Sequence, residues 1–287
     1  MTPAERVNDN RVMQALISAD MEGATGVTCP DDVRPGSPQW ERFRRLLTGD
    51  VQAVCQGFFD AGVTEVTVNE AHSTMRNVLI EELDPRVRLL TGSHKPFGMM
   101  EGIQQRPELV AFVGYHAGPG EPGVLSHTFV ASAVFAVTLN GRPMTEGYLN
   151  GLLAAEHGVR LALVAGDDLT CADADDYAPK AQKVAVKEAV DRYSALCLTP
   201  ARTATMLRSA AAAGVKTAEV PPLPDGPYRI EVTFTGTSSA TMAACIPTVE
   251  RLGPRTVAVT KDTVAELYPC FRVLTRIGAG AAEPDFG

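Results

Sequence analysis

Asp20 and Glu22 stand two residues apart after a mostly apolar run, Val12-Met13-Gln14-Ala15-Leu16-Ile17, and Gly23 follows them. In extended backbone residues i and i+2 project to one side. The two carboxylates therefore face one point if the strand runs on through them. Acids brought together at the end of a core strand repel each other and lose hydration. A cation between them relieves both penalties, and a metal ion is the simplest candidate. The plainer reading is a solvated loop with two acids and a turn glycine. The chain has only five histidines. His72, His116 and His127 each sit beside the end of a stretch that reads as strand, whereas His94 and His157 read as structural or surface residues. Glu146 opens a helix.

These residues need elements to position them. Residues 12–17 read as a buried strand, 63–68 as a β-branched alternating one, and 86–90, 109–115 and 161–165 as further strands. A helix spans 40–61, with Phe43, Leu46, Leu47, Val51, Val54, Cys55 and Phe58 recurring at three and four, and Gly62 stops it. A short helix is expected over 77–83. The Pro-, Gly- and Asp-rich stretch 29–39 reads as a loop long enough to cover a site. Residues 134–144 form a hairpin about Asn140-Gly141. The next helix starts at Thr145-Glu146 and stops at Gly158. Strands alternating with helices predict an α/β fold, a mainly parallel central sheet flanked by helices with an added β-hairpin. Beyond Thr199-Pro200 a smaller α/β C-terminal part follows: a helix over 201–213, strands over 229–234 and 256–260, a helix over 262–277 and a loose tail from Gly278. The expected division is a flexible leader over 1–11, a metal-binding catalytic domain over 12–200 and a C-terminal subdomain over 201–287.

In open α/β sheets ligands bind beyond the carboxyl ends of the strands. That rule gathers Asp20, Glu22, His72, His116 and Glu146 on one rim. Five ligands exceed the three protein ligands usual for one catalytic zinc. They suit two metals about 3.5–4 Å apart. Imidazoles favour Zn2+, and the oxygen-rich remainder allows Mn2+ or Co2+. Asp167 and Asp168 read either as partners of those ligands or as the N-cap of the next helix.

Composition excludes several classes. The net charge of −8 and the lack of a basic cluster argue against nucleic acid. No apolar run approaches a membrane span, and no secretory signal core precedes residue 12, so a cytoplasmic location is expected. The six cysteines are scattered with no C-x-x-C pair, which argues against thiolate zinc sites and a disulfide framework.

Taken together, the motifs Ser18-Ala19-Asp20-Met21-Glu22-Gly23, Val68-Asn69-Glu70-Ala71-His72-Ser73, Lys95-Pro96-Phe97, Gly114-Tyr115-His116-Ala117, Gly123-Val124-Leu125-Ser126-His127, Asn140-Gly141-Arg142-Pro143 with Glu146, and Val164-Ala165-Gly166-Asp167-Asp168 resemble, in order, those of the D-aminopeptidase (DppA-type) family of dinuclear zinc peptidases, peptidase family M55. The resemblance implies two Zn2+ per chain, Asp20 bridging them and Glu22, His72, His116 and Glu146 completing the set. It implies that His127 is catalytic, as acid/base, oxyanion stabiliser or nucleophile. The implied activity is hydrolysis of the N-terminal amide bond of short peptides of the D-Ala-D-Ala type by a metal-activated water. The implied assembly is a ring-shaped homodecamer. The alternatives are a dinuclear amidohydrolase acting on another small amide, a phosphoesterase, and a binding protein that has lost the chemistry. Against the phosphoesterase, no histidine stands two residues after Asp20 and no G-N-H-E follows Asp168.

Overall fold

The computed structural model describes residues 12–282. The expected leader over 1–11 and the end of the chain from 283 lie outside the described residues. In chain order the elements are β1 (Gln14–Ala19), α1 (Pro30–Val33), α2 (Pro38–Asp60), β2 (Glu65–Glu70), β3 (Val87–Leu90), β4 (Leu109–Val113), β5 (Val134–Leu139), β6 (Arg142–Pro143), α3 (Glu146–Glu156), β7 (Arg160–Asp167), α4 (Asp168–Tyr177), β8 (Gln182–Asp191), β9 (Ser194–Cys197), α5 (Pro200–Thr217), β10 (Tyr228–Phe234), α6 (Thr237–Ala243), β11 (Glu250–Arg251), β12 (Thr256–Lys261) and α7 (Val264–Gly280). The helix expected over 77–83 is only a 3-10 turn, Ile80–Glu82. The tail expected from Gly278 is still helix to Gly280.

Seven strands form the central sheet in the order β3-β2-β1-β4-β7-β8-β9. All its pairings are parallel except β8 with β9. The pattern of each strand explains its burial on both faces. Leu16, Val110, Phe112, Leu161 and Val164 point into one apolar layer. Ile17, Ala19, Ala111, Val113, Leu163 and Ala165 point into the other. The second layer is closed by α2, through Phe43, Leu47, Val51, Val54 and Phe58, and by α5, through Leu207, Ala211 and Val215. A parallel sheet covered on both faces needs such continuous apolar strands.

The first layer is closed in a way that sequence order did not reveal. The hairpin β5–β6 does not extend the central sheet. It joins a separate five-stranded antiparallel sheet, β11-β12-β10-β5-β6. Val137 pairs with Val232 and Leu139 with Ile230, almost a hundred residues on. That sheet packs with α3 and α7 against the central one through Val137, Leu149, Ile230, Val232, Leu267 and Phe271. The two sheets therefore do not divide the chain at residue 200. The second sheet takes strands from both sides of that point, and α5, which follows it, covers the first.

The ends of β1 and β4 interlock where the chain turns out of the sheet. Asp20 N donates to Val113 O at 2.8 Å and Gly23 N to Gly114 O at 2.8 Å. Gly114 has φ +73°, and a Cβ on it would lie 2.1 Å from Asp20 O. A Cβ on Gly23 would lie 1.8 Å from Tyr115 O. No side chain fits between these two backbones. Gly23→Ala is expected to lower the free energy of unfolding by about 2–4 kcal/mol. Gly49 has open space around it inside α2, so Gly49→Ala is expected to raise it by about 0.5–1 kcal/mol. Urea unfolding midpoints check both.

Candidate metal centre

Parallel β1, β2 and β4 bring their carboxyl ends to one rim. Asp20 follows β1 directly and Glu22 lies two residues on. His72 follows β2 and His116 follows β4, and Glu146 is the first residue of α3. Thr145 caps that helix by accepting from Tyr148 N at 3.0 Å, which points the Glu146 end at the rim. All five expected ligands and His127 line one cleft of about 600 Å3. The carboxylates Asp20, Glu22 and Glu146 and the His116 ring are buried.

Each imidazole is fixed by a carbonyl on its far side. His116 Nδ1 donates to Ala117 O at 2.9 Å. Its Nε2 is buried without a hydrogen-bond partner, 3.6 Å from Asp20 Oδ2 and 3.5 Å from Glu146 Oε1. His72 Nε2 donates to Val33 O at 2.7 Å. Its Nδ1 lies 3.0 Å from the Glu22 carboxylate and 3.6 Å from Asp20 Oδ1. A carbonyl accepts only, so the neutral tautomer of each ring turns a bare lone pair toward carboxylate oxygens. Lone pair against carboxylate is repulsive unless a cation lies between them. Ligands about 2.0–2.2 Å from a tetrahedral zinc stand about 3.4 Å apart, close to the 3.5–3.6 Å separations at His116. The donor set therefore fits metal ions. Asp20 lies between the rings, with one oxygen toward each.

Two groups of ligand atoms lie within 4.8 Å of one another: Asp20, Glu22 and His72, and His116, His127 and Glu146. His127 stacks on His116 at 4.2 Å between centroids and 10° between planes. Its Nδ1 donates to Leu125 O at 2.8 Å, and its Nε2 stands 3.9 Å from Glu22 Oε1. His94 and His157 are not among the cleft residues; His157 bonds to Leu153 O within its own helix.

Burial sets the electrostatics. It pushes Asp20 up to about 7, and the neighbouring Glu22 charge adds to this. Burial would also raise Glu22, but the charge of His72 outweighs it and holds that carboxyl well below its usual range. Burial opposes protonation of His116, yet the Glu146 charge lifts it to about 10. His72 is raised well above its ordinary value by Glu22 against the same burial penalty. Burial, and then repulsion from His116, lower His127. Without a metal, then, His72 and His116 hold protons where cations belong, and His127 is the neutral imidazole of the set.

Supports that sequence reading missed lie just behind the ligands. Lys187 is 1% exposed. Its Nζ donates to the carbonyls of Glu22, Ala24 and Val27 at 2.7, 3.0 and 2.6 Å, clamping the turn that carries Glu22. Val184 and Val186 fill the inward phase of β8, so Lys187 reads as outward. A register shift opposite Gly166 and Asp167 reverses it. Lys95 Nζ similarly donates to Asn69 Oδ1 and Glu70 O at 2.6 Å each, holding the end of β2 before His72. Asp167 is the N-cap of α4 and also accepts from Val124 N at 2.8 Å, tying down the loop before His127. The 29–39 loop does cover the site: α1 supplies Val33 O, and Pro30 and Val33 line the cleft.

Two outcomes are expected. Binding of zinc displaces the protons of His72 and His116, so affinity falls as pH drops from about 10 through neutrality. Calorimetry in buffers of differing ionisation enthalpy reads the released protons. Lys187→Met leaves three buried carbonyls without their donor, and is expected to cost about 3 kcal/mol of stability and to weaken zinc binding. Urea unfolding and competitive zinc titration check the two effects.

The D-aminopeptidase family model, of M55 peptidases, matches residues 13–273. A D-aminopeptidase of Bacillus subtilis strain 168 is 34% identical over 274 residues, covering 92% of this chain and 97% of its own. The solved structure of the Zn-dependent D-aminopeptidase DppA from Bacillus subtilis, described as a self-compartmentalizing protease, superposes with a TM-score of 0.90 at 31% identity. That superposition covers 95% of this chain and all of the other.

Proposed function

This chain belongs to the D-aminopeptidase family, and we propose that it is a zinc-dependent aminopeptidase acting on short peptides with a D-residue at the amino end, of the D-Ala-D-Ala type. The observation that carries this reading is the pair of imidazoles whose cleft-facing nitrogens each stand 3.6 Å from one oxygen of Asp20. Asp20, Glu22 and His72 would hold one ion, and His116 and Glu146, with the second oxygen of Asp20, would hold the other. Bound zinc supplies Lewis acidity, which lowers the pKa of water to near neutrality and polarises a carbonyl.

The protein's own groups do the rest. Leu125 O fixes the His127 tautomer so that Nε2 faces the cleft as an acceptor. Its lowered pKa keeps it neutral at physiological pH. His127 takes the proton of the attacking water as general base and returns it to the leaving amine. Phe129 N donates to Glu146 Oε1 at 2.6 Å and holds that carboxylate toward His116.

The chain also has surface suited to self-assembly. On the β8–β9 hairpin at the sheet edge, Val190, Tyr193 and Leu196 are 71%, 55% and 63% exposed. We assign this edge to contact with further copies of the chain, in a ring-shaped homodecamer that encloses the clefts. No helix of the described residues is long and apolar enough to cross a membrane. The described cysteines are all free, which fits a reducing, cytoplasmic compartment.

Chelation is expected to abolish cleavage of D-Ala-D-Ala, and zinc to restore it. His127→Ala is expected to keep two metals per chain but lose about a hundredfold or more in kcat. Metal analysis beside steady-state hydrolysis checks this. L-Ala-L-Ala and amino-blocked D-peptides are expected to be poor substrates. Cleavage of a phosphate ester but of no peptide would sink the reading. Sedimentation reads the assembly against ten times 30.5 kDa.

A further inference from the structure

The cleft carries two charges that the metal centre does not use. Arg272 and Arg276 both line it from α7. Residues four apart share a helix face, so the two guanidiniums face the same cleft and repel each other. Among the described residues neither forms an ion pair, and Arg276 has no hydrogen bond either. Arg272 is held in place by neutral groups. Its Nη1 donates to the carbonyls of Lys95 and Pro96, and a Cβ on Gly98 would lie 2.7 Å from its Nε. The other N–H groups of its fork remain for a ligand. A third arginine on the cleft, Arg34, differs: it pairs with Asp31 at 3.0 Å on the open surface.

The cleft is thus two-signed. Its floor is rich in carboxylates and its α7 wall holds unneutralised guanidiniums. Its volume of about 600 Å3 lies in the range of small-ligand sites, about 300–1,000 Å3. A peptide of two or three residues has matching polarity, with the amino end and scissile amide at one side and a free carboxylate at the other. A guanidinium fork meets a carboxylate through two parallel hydrogen bonds. We propose that Arg272 and Arg276 form a carboxylate subsite that selects very short peptides with a free C-terminus. This rests on the aminopeptidase reading above and adds the feature that limits substrate length.

The test uses the full-length, zinc-loaded protein with D-Ala-D-Ala and D-Ala-D-Ala amide. The wild type is expected to favour the acid about ten- to a hundredfold in kcat/KM. That ratio is expected to fall at least about tenfold in R272Q and in R276Q, and to be partly restored in R276K, which returns the charge without the fork. R276Q breaks no hydrogen bond or ion pair among the described residues, so a folding defect does not obscure it. A wild-type ratio near one, or a ratio unchanged in both Gln variants, overturns the subsite. If the wild type cleaves neither peptide, the aminopeptidase reading fails on its own. Calorimetric binding of the same two peptides then decides the subsite. Tighter binding of the acid that R276Q weakens upholds it, and equal binding or none overturns it.

Discussion

Three buried carboxylates at the mouth of the central sheet are the constraint on which the rest of the structure depends. Asp20, Glu22 and Glu146 are buried around one cleft, and the charges of Glu22 and Glu146 both act on Asp20. Such a cluster is unfavourable unless positive charge is placed among it. His72 and His116 provide that charge as protons, or yield the places to metal ions. The far-side carbonyls of Val33 and Ala117 orient both rings, and this is the usual way proteins set the tautomer of a metal-binding histidine.

Holding the acids there shapes the backbone behind them. Gly23 and Gly114 let the segments that leave β1 and β4 approach within a distance no side chain permits. Lys187 satisfies three carbonyls of the turn that would otherwise be buried and unpaired, and burial lowers its ammonium to about 8. Asp50 accepts from Thr25 N and Oγ1 at 2.8 Å each, pinning the same turn from α2. The turn carrying Glu22 is thus anchored from β4, β8 and α2. Such anchoring keeps the candidate ligands in place whether or not an ion is bound. The cleft wall is built differently, from the 129–132 segment and α7, where Phe129 packs edge-on against Phe271 at 4.7 Å. The second sheet therefore contributes to the site indirectly: it seats α7 over the cleft.

Much of this was legible in the chain itself. The apolar strands ending in Asp20, His72 and His116, the Asn140-Gly141 turn and the Thr145-Glu146 helix start carry local signals, because strand burial, turn conformation and helix capping depend on neighbours in sequence. The rule that ligands sit at strand carboxyl ends joined those signals into one candidate site. The α2 face, from Phe43 to Phe58, was legible for the same reason.

Residue types and their spacing determined the parallel α/β core, the acids and imidazoles at its rim and the chemistry that set can perform. Only the tertiary structure decided the remainder. The pairing of β5 with β10 across the chain, the inward turn of Lys187 at a register shift, and the placement of Arg272 and Arg276 on the cleft wall depend on contacts between distant segments. Local pattern carries no record of such contacts. Strand partners in antiparallel sheets are fixed by packing and loop closure, and one residue of register exchanges the buried face for the exposed one.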